Sequence, residues 1–194
     1  MAADATLRQP DATTCGSCCL VRARMLLDGG YDAWLRADPS GGRFRAEALA
    51  THLRTNRLRG PAGGLRLPWP AALGTQPWAL AAELSAASGV GHAVRWVPPG
   101  SRAAAYDLVR RVVGAGHPVP VYVGSATLPR HVVLALRADA DADAGALTVY
   151  DPAVGAEVRA ARADWVGGRL GLAGWRLPWA VVVPVSPSAR RTRA

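Results

Sequence analysis

Gln9-Pro10-Asp11-Ala12-Thr13-Thr14-Cys15-Gly16-Ser17-Cys18-Cys19-Leu20 is the stretch on which the fold turns. Its first half reads as an extended lead-in, because Pro10 and Asp11 oppose helix. Thr13 or Thr14 can cap a helix that begins at Cys15 or Gly16. From Cys18 to Leu27 almost every residue is apolar except Arg22 and Arg24, and Asp28-Gly29-Gly30 stops the run. A helix that apolar is buried on most sides. Cys15 therefore stands at the N-terminal end of a buried helix.

Working outward, residues 31–37 read as a short helix. Phe44 to Leu58 reads as an amphipathic helix with Leu49 and Leu53 one turn apart. The segment Gly60 to Gly74 is rich in Pro and Gly and reads as a loop. Thr75 can cap a helix to about Ser88, with Pro77 in its first turn. The character then changes. His92–Val97, Val119–Val123, His131–Leu136, Leu147–Tyr150 and Trp179–Val183 are short and rich in β-branched residues. One helix, Ser101–Val113, interrupts them. Helices first and sheet second predicts an α+β class. The expected organisation is one domain over 1–185, with a helical lobe over about 1–90 and a sheet lobe over about 91–185. Residues 186–194 read as a basic flexible tail.

The formal charge is +9, and all 23 basic residues are arginine. They are dispersed and no aromatic ladder alternates with them, so a nucleic-acid surface is not expected. Three cysteines within five positions cannot staple distant parts of a fold. The odd number argues against a disulfide scaffold and for a reducing, cytoplasmic setting. The first residues lack an apolar core, so no signal peptide is read. No apolar run approaches the ~18 residues of a membrane span. Six of the seven tryptophans (Trp69, Trp78, Trp96, Trp165, Trp175 and Trp179) read as core or lobe-interface residues, of which one or two line a cleft.

A thiol nucleophile needs ionisation, a base within reach and donors for the developing oxyanion. The helix start at Cys15 favours a thiolate. A free thiol titrates near 8.5. A helix end supplies at most ~2 kcal/mol toward ionisation, so a neighbouring imidazolium is required. Of four histidines, His131 heads the apolar strand HVVLAL, where a rigid element can aim it. A hairpin register pairing Ala135 with Leu147 and Val133 with Val149 would set His131 directly opposite Asp151. Asp151 would then orient the imidazole. Gln9, six positions before Cys15, could donate to the oxyanion with the Cys15 N–H. Blander readings compete: Cys15 as a small core residue, Asp151 as a turn opener before Pro152, and Gln9 as exposed. Cys18 and Cys19 read as packing residues. A metal site from Cys15, Cys18 and a histidine lacks a second ligand arm, so no metal or cofactor is expected.

Gln9, Cys15-Gly16 and Cys19-Leu20 resemble the Q-x5-C-G-x-x-C-L pattern of bacteriocin-processing cysteine peptidases, which cleave leader peptides after a double glycine. GHPVPVYVGS (116–125), LPRHVVLAL (128–136) and TVYDPAVG (148–155) resemble later segments of that family in the same order. The resemblance spans about residues 7–155. It implies a papain-like fold, with an N-terminal helical lobe packed on a C-terminal antiparallel sheet lobe. It also implies Cys15 as nucleophile, His131 as base, Asp151 as orienting residue and Gln9 as oxyanion donor. Cys18 departs from the small residue usual there, and residues 60–100 match nothing in the family. The expected activity is a peptidase or amidase acting on a peptide or amide substrate, such as a precursor peptide or carrier protein. An acyltransferase with the same acyl-enzyme step, and a non-catalytic binding module, are the alternatives.

Overall fold

A computed structural model describes residues 5–57, 74–139 and 145–185. The described residues form six α-helices and one six-stranded sheet. Four helices come first: α1 (Cys15–Leu27), α2 (Gly29–Arg36), α3 (Gly42–Thr55) and α4 (Pro77–Ser88). Strand β1 (His92–Trp96) and helix α5 (Arg102–Gly114) follow. Then come β2 (Val119–Gly124), β3 (Pro129–Ala138), β4 (Leu147–Asp151), β5 (Ala156–Ala160), α6 (Arg162–Gly167) and β6 (Leu177–Pro184). The sheet order is β1-β6-β2-β3-β4-β5, antiparallel throughout. The α+β expectation holds at this level. The loop expected over 60–74 lies outside the described residues except for Gly74. Trp69 and the expected tail also lie outside them.

Alternation in the strands builds two cores, because successive side chains point to opposite faces. Tyr122, Val132, Leu134, Tyr150 and Val182 pack with α1–α4. Val121, Val123, Val133, Val149 and Val181 pack with α5 and α6. The helix expected at Ser101–Val113 is α5, and with α6 it covers the second face of the sheet. Strand β5 and helix α6 were not foreseen. Their segment mixes charged residues with alanine and carries weak periodicity.

Three local expectations are corrected. Asp28 ends α1, but Gly29 and Gly30 open α2 at once, with the Asp28 carboxylate accepting from the Tyr31 N–H at 3.0 Å. In α3 the buried face is Phe44, Ala48, Thr51 and Thr55, while Leu49 and Leu53 are exposed. Spacing by one turn places residues on one face without saying which face meets the core. The N-cap of α4 is Gln76, and Thr75 is buried against Ser17, their hydroxyls 3.2 Å apart. No helix among the described residues is long and apolar enough to cross a membrane.

Candidate active site

The first N–H groups of α1 are not taken by a cap. Thr14 is the N-cap residue, but its hydroxyl turns back to donate to the Asp11 carbonyl at 3.1 Å. Among the described residues no side-chain cap takes the first donors of this 13-residue helix, and its positive end lies beside Cys15. One turn on, the Cys19 thiol donates to the Val132 carbonyl at 3.4 Å, tying α1 to β3 next to His131. Cys18 and Cys19 are fully buried, and burial pushes both thiols up, so they remain protonated packing residues.

His131 sits near the start of β3 and Asp151 ends β4. In an antiparallel pair these are the same end of the sheet. His131 Nε2 lies 2.8 Å from Asp151 Oδ1. Cys15 is the other group that acts on the ring by hydrogen bonding and charge, and with Nε2 given to Asp151 the nitrogen left to face it is Nδ1. Cys15 is 3 % exposed, His131 5 % and Asp151 2 %. The expected direct opposition of His131 and Asp151 is wrong. Ala135 pairs with Val149 and Leu134 with Tyr150, two positions from the expected register. A shift of two preserves the face, so Asp151 reaches the ring diagonally, a span of about 7–8 Å between Cα atoms. A bulge between Ala135 and Arg137 changes the count farther along the hairpin.

Burial works against the charged form of His131 and is the largest influence on it. The hydrogen bonds to Asp151 and Cys15, with the charges of both, outweigh it and raise the imidazole from 6.5 to about 9. The imidazolium is thus the form this pocket holds at neutral pH. Asp151 also opens a turn, since Oδ1 accepts from the Ala153 N–H at 2.9 Å and its carbonyl from the Gly155 N–H at 2.9 Å. One carboxylate thus both opens the turn and contacts the imidazole.

Gln9 is placed by its backbone, whose N–H donates to the Pro152 carbonyl at 2.8 Å. The Arg8 guanidinium donates to the Ala153 carbonyl and the Tyr150 hydroxyl to the Leu7 carbonyl. The lead-in is thereby fastened to the turn after Asp151. Gln9 Oε1 is buried and unpartnered among the described residues. No hydrogen bond joins Gln9 to Cys15, so its expected role as oxyanion donor rests on its placement alone.

A further segment closes over the thiol. Gly74 has φ +73°, and a Cβ there would lie 2.9 Å from the Thr13 carbonyl and 3.9 Å from Cys15 Sγ. A Cβ on Gly16 would lie 2.7 Å from the Thr75 Cβ. The Thr75 carbonyl in turn accepts from the buried Tyr122 hydroxyl at 2.8 Å. Gly74, Thr75 and Tyr122 were not foreseen as site residues. Gly16 and Gly74 were the available signal, because paired glycines mark a close backbone approach. Among the described residues no three His, Cys, Asp or Glu side chains converge as a metal site requires. No protein-family model and no curated protein matches this chain.

Proposed function

We propose that this chain is a cysteine peptidase- or amidase-like hydrolase on a papain-like fold. The observation that carries the reading is the chain of contacts from Asp151 through His131 to Cys15 at an uncapped helix start. The resemblance around Gln9, Cys15, His131 and Asp151 supports the same family of chemistry. Cys15 sulfur attacks a substrate carbonyl carbon and forms a tetrahedral oxyanion. The unpaired N–H groups of the first turn of α1 stabilise that oxyanion, with the Gln9 amide as candidate second donor. The C–N bond breaks as His131 Nδ1 gives its proton to the leaving amine. Water then attacks the thioester, passing a proton back to His131, and the acid leaves. Asp151 holds the ring and stabilises its charge throughout. The proposed setting is cytoplasmic, where thiols stay reduced. All three cysteines are unbridged.

One observation favours acyl transfer as a second reading. The three side chains are almost wholly shielded from solvent, which favours a bound amine over bulk water as acceptor. A competing-amine assay separates the two outcomes.

The test of the shared step is alkylation of wild type, Cys15→Ser and His131→Ala by iodoacetamide. Labelling is followed from about pH 4 to about pH 9, spanning the ordinary thiol range. Rapid labelling at Cys15 well below about pH 8 is expected, absent in Cys15→Ser and moved upward in His131→Ala. A Cys15 that labels like a free thiol, indifferent to His131, would leave only the binding-module reading.

A further inference from the structure

Two strands from His131 lies a cavity of about 330 Å³, at the same end of the sheet. Val123 pairs with His131 on one side and with Pro178 on the other. Neighbouring strands lie about 4.8 Å apart, so the Pro178 wall is about 10 Å from His131. The walls include Trp96, Pro98, Pro99, Pro178 and Trp179. Prolines carry no N–H, and the Trp179 indole N–H already donates to the Ser125 carbonyl at 2.9 Å. These walls are mainly apolar faces, and Trp96 is 55 % exposed.

The cation on this cavity is Arg102, the first residue of α5. Its Nε is buried and has no hydrogen-bond partner among the described residues. Ser101, the N-cap, makes no side-chain cap bond, so the positive end of α5 adds to the guanidinium. A guanidinium lining an apolar slot is complementary to an anion carried on an apolar body. The volume stands near the lower limit of ligand pockets, roughly 300 Å³, which suits one large side chain rather than a whole ligand.

We propose that this cavity is a substrate subsite for a peptide residue with a large apolar side chain and a carboxylate beside it, the carboxylate held by Arg102. The proposal rests on the reading of Cys15 and His131 as the reacting pair. An extended peptide advances about 3.4 Å per residue, so the subsite takes a residue about three positions from the cleaved bond. The carboxylate comes from a neighbouring acidic side chain or from the peptide's own C-terminus. Arg102 presents the same fork to either.

The test is an NMR titration of the Cys15→Ala protein with three probes. N-acetyl-Phe-Glu-amide carries a side-chain carboxylate, N-acetyl-Phe a terminal one, and N-acetyl-Phe-Gln-amide none. At least one carboxylate probe is expected to bind about tenfold more tightly than the neutral one, as a charge-assisted hydrogen bond implies. Its binding should shift the Trp96 indole resonance. The tighter of the two carboxylate probes identifies the source of the anion. Arg102→Gln should erase the preference, and Trp96→Ala, at an exposed ring, should weaken all three probes. Equal affinity for charged and neutral probes, a preference surviving Arg102→Gln, or an unmoved Trp96 signal overturns the subsite. Labelling of Cys15 that depends on His131, without probe binding, overturns the subsite alone. Probe binding without such labelling overturns the substrate role together with the thiol reading.

Discussion

His131 is held between opposing influences, and their balance sets what the site can do. Taken from water alone, the ring would be neutral. The Asp151 carboxylate and the Cys15 thiol reverse that and hold it charged up to about 9. An opposite charge at hydrogen-bonding distance shifts an ionisable group by roughly one to three units. Asp151→Asn keeps an acceptor for the ring and for the Ala153 N–H but removes the charge. The His131 imidazole, followed by NMR, should titrate near 9 in wild type and roughly one to three units lower in the variant. An unchanged midpoint would remove Asp151 from its orienting role. Cys15, His131 and Asp151 were legible because each stands at the end of an element whose hydrophobic pattern is strong. Gly74 and Thr75 were not, since their placement over the thiol depends on how α4 docks against α1.

Among elements, the β3–β4 hairpin separates what a pattern can specify from what it cannot. The strands and their antiparallel pairing follow from β-branched alternation. Register follows from turn geometry, and the repetitive sequence ADADADAG at 138–145 offers no Asn-Gly or comparable signal to set it. The strand preceding His131 is set by the tight β2–β3 connection. There a Cβ on Gly124 would overlap the Leu128 carbonyl and come within 2.7 Å of the Pro129 Cα. Both obstacles are backbone, so Gly124→Ala must open the connection. It should destabilise the protein by about 1–3 kcal/mol and slow His131-dependent labelling of Cys15, because His131 follows Pro129 by two residues. Gly29→Ala is the control, with nothing within 4 Å of its added carbon, and it should be neutral or slightly stabilising. Denaturant midpoints of the two variants decide the matter. A Gly124→Ala protein as stable as wild type would show that the connection can relax without cost.

At the scale of the whole molecule, one sheet separates two cores, and His131 and Asp151 sit at its end while Cys15 packs in the first core. The α+β class was readable because the first helix-period segments precede the strand-period ones, with a single helix foreseen among the strands. The covering of both faces was not, because α5 and α6 look locally like any amphipathic pieces and only sheet order assigns them a side. The buried Cys15–His131–Asp151 contact couples the whole fold to pH. In the unfolded chain the His131 imidazole releases its proton around 6.5, and in the fold it retains it to about 9. Below about 6.5 both states carry the proton and the stabilisation is complete. Between the two values only the folded state binds it, so each increment of pH favours unfolding, and above about 9 the contribution is gone. A shift of that size corresponds to at most roughly 3 kcal/mol. The buried thiols of Cys18 and Cys19, raised by burial, add a further loss that begins only where free thiols ionise, near 8.5. His92 is lowered by burial, so its contribution is lost as pH falls and does not mimic the effect. An ionised Cys15 in the fold releases the proton that His131 takes up, so the thiol is removed from the comparison. Urea unfolding of Cys15→Ala at a series of pH values should show stability falling above about 6.5 as the imidazolium held by Asp151 loses its proton, with a markedly flatter profile in Cys15→Ala/His131→Asn. Comparing slopes rather than absolute stabilities cancels the packing lost with the ring. Parallel declines in the two proteins would mean that the imidazolium is not held by the fold, and the ion pair on which the chemistry depends would be absent.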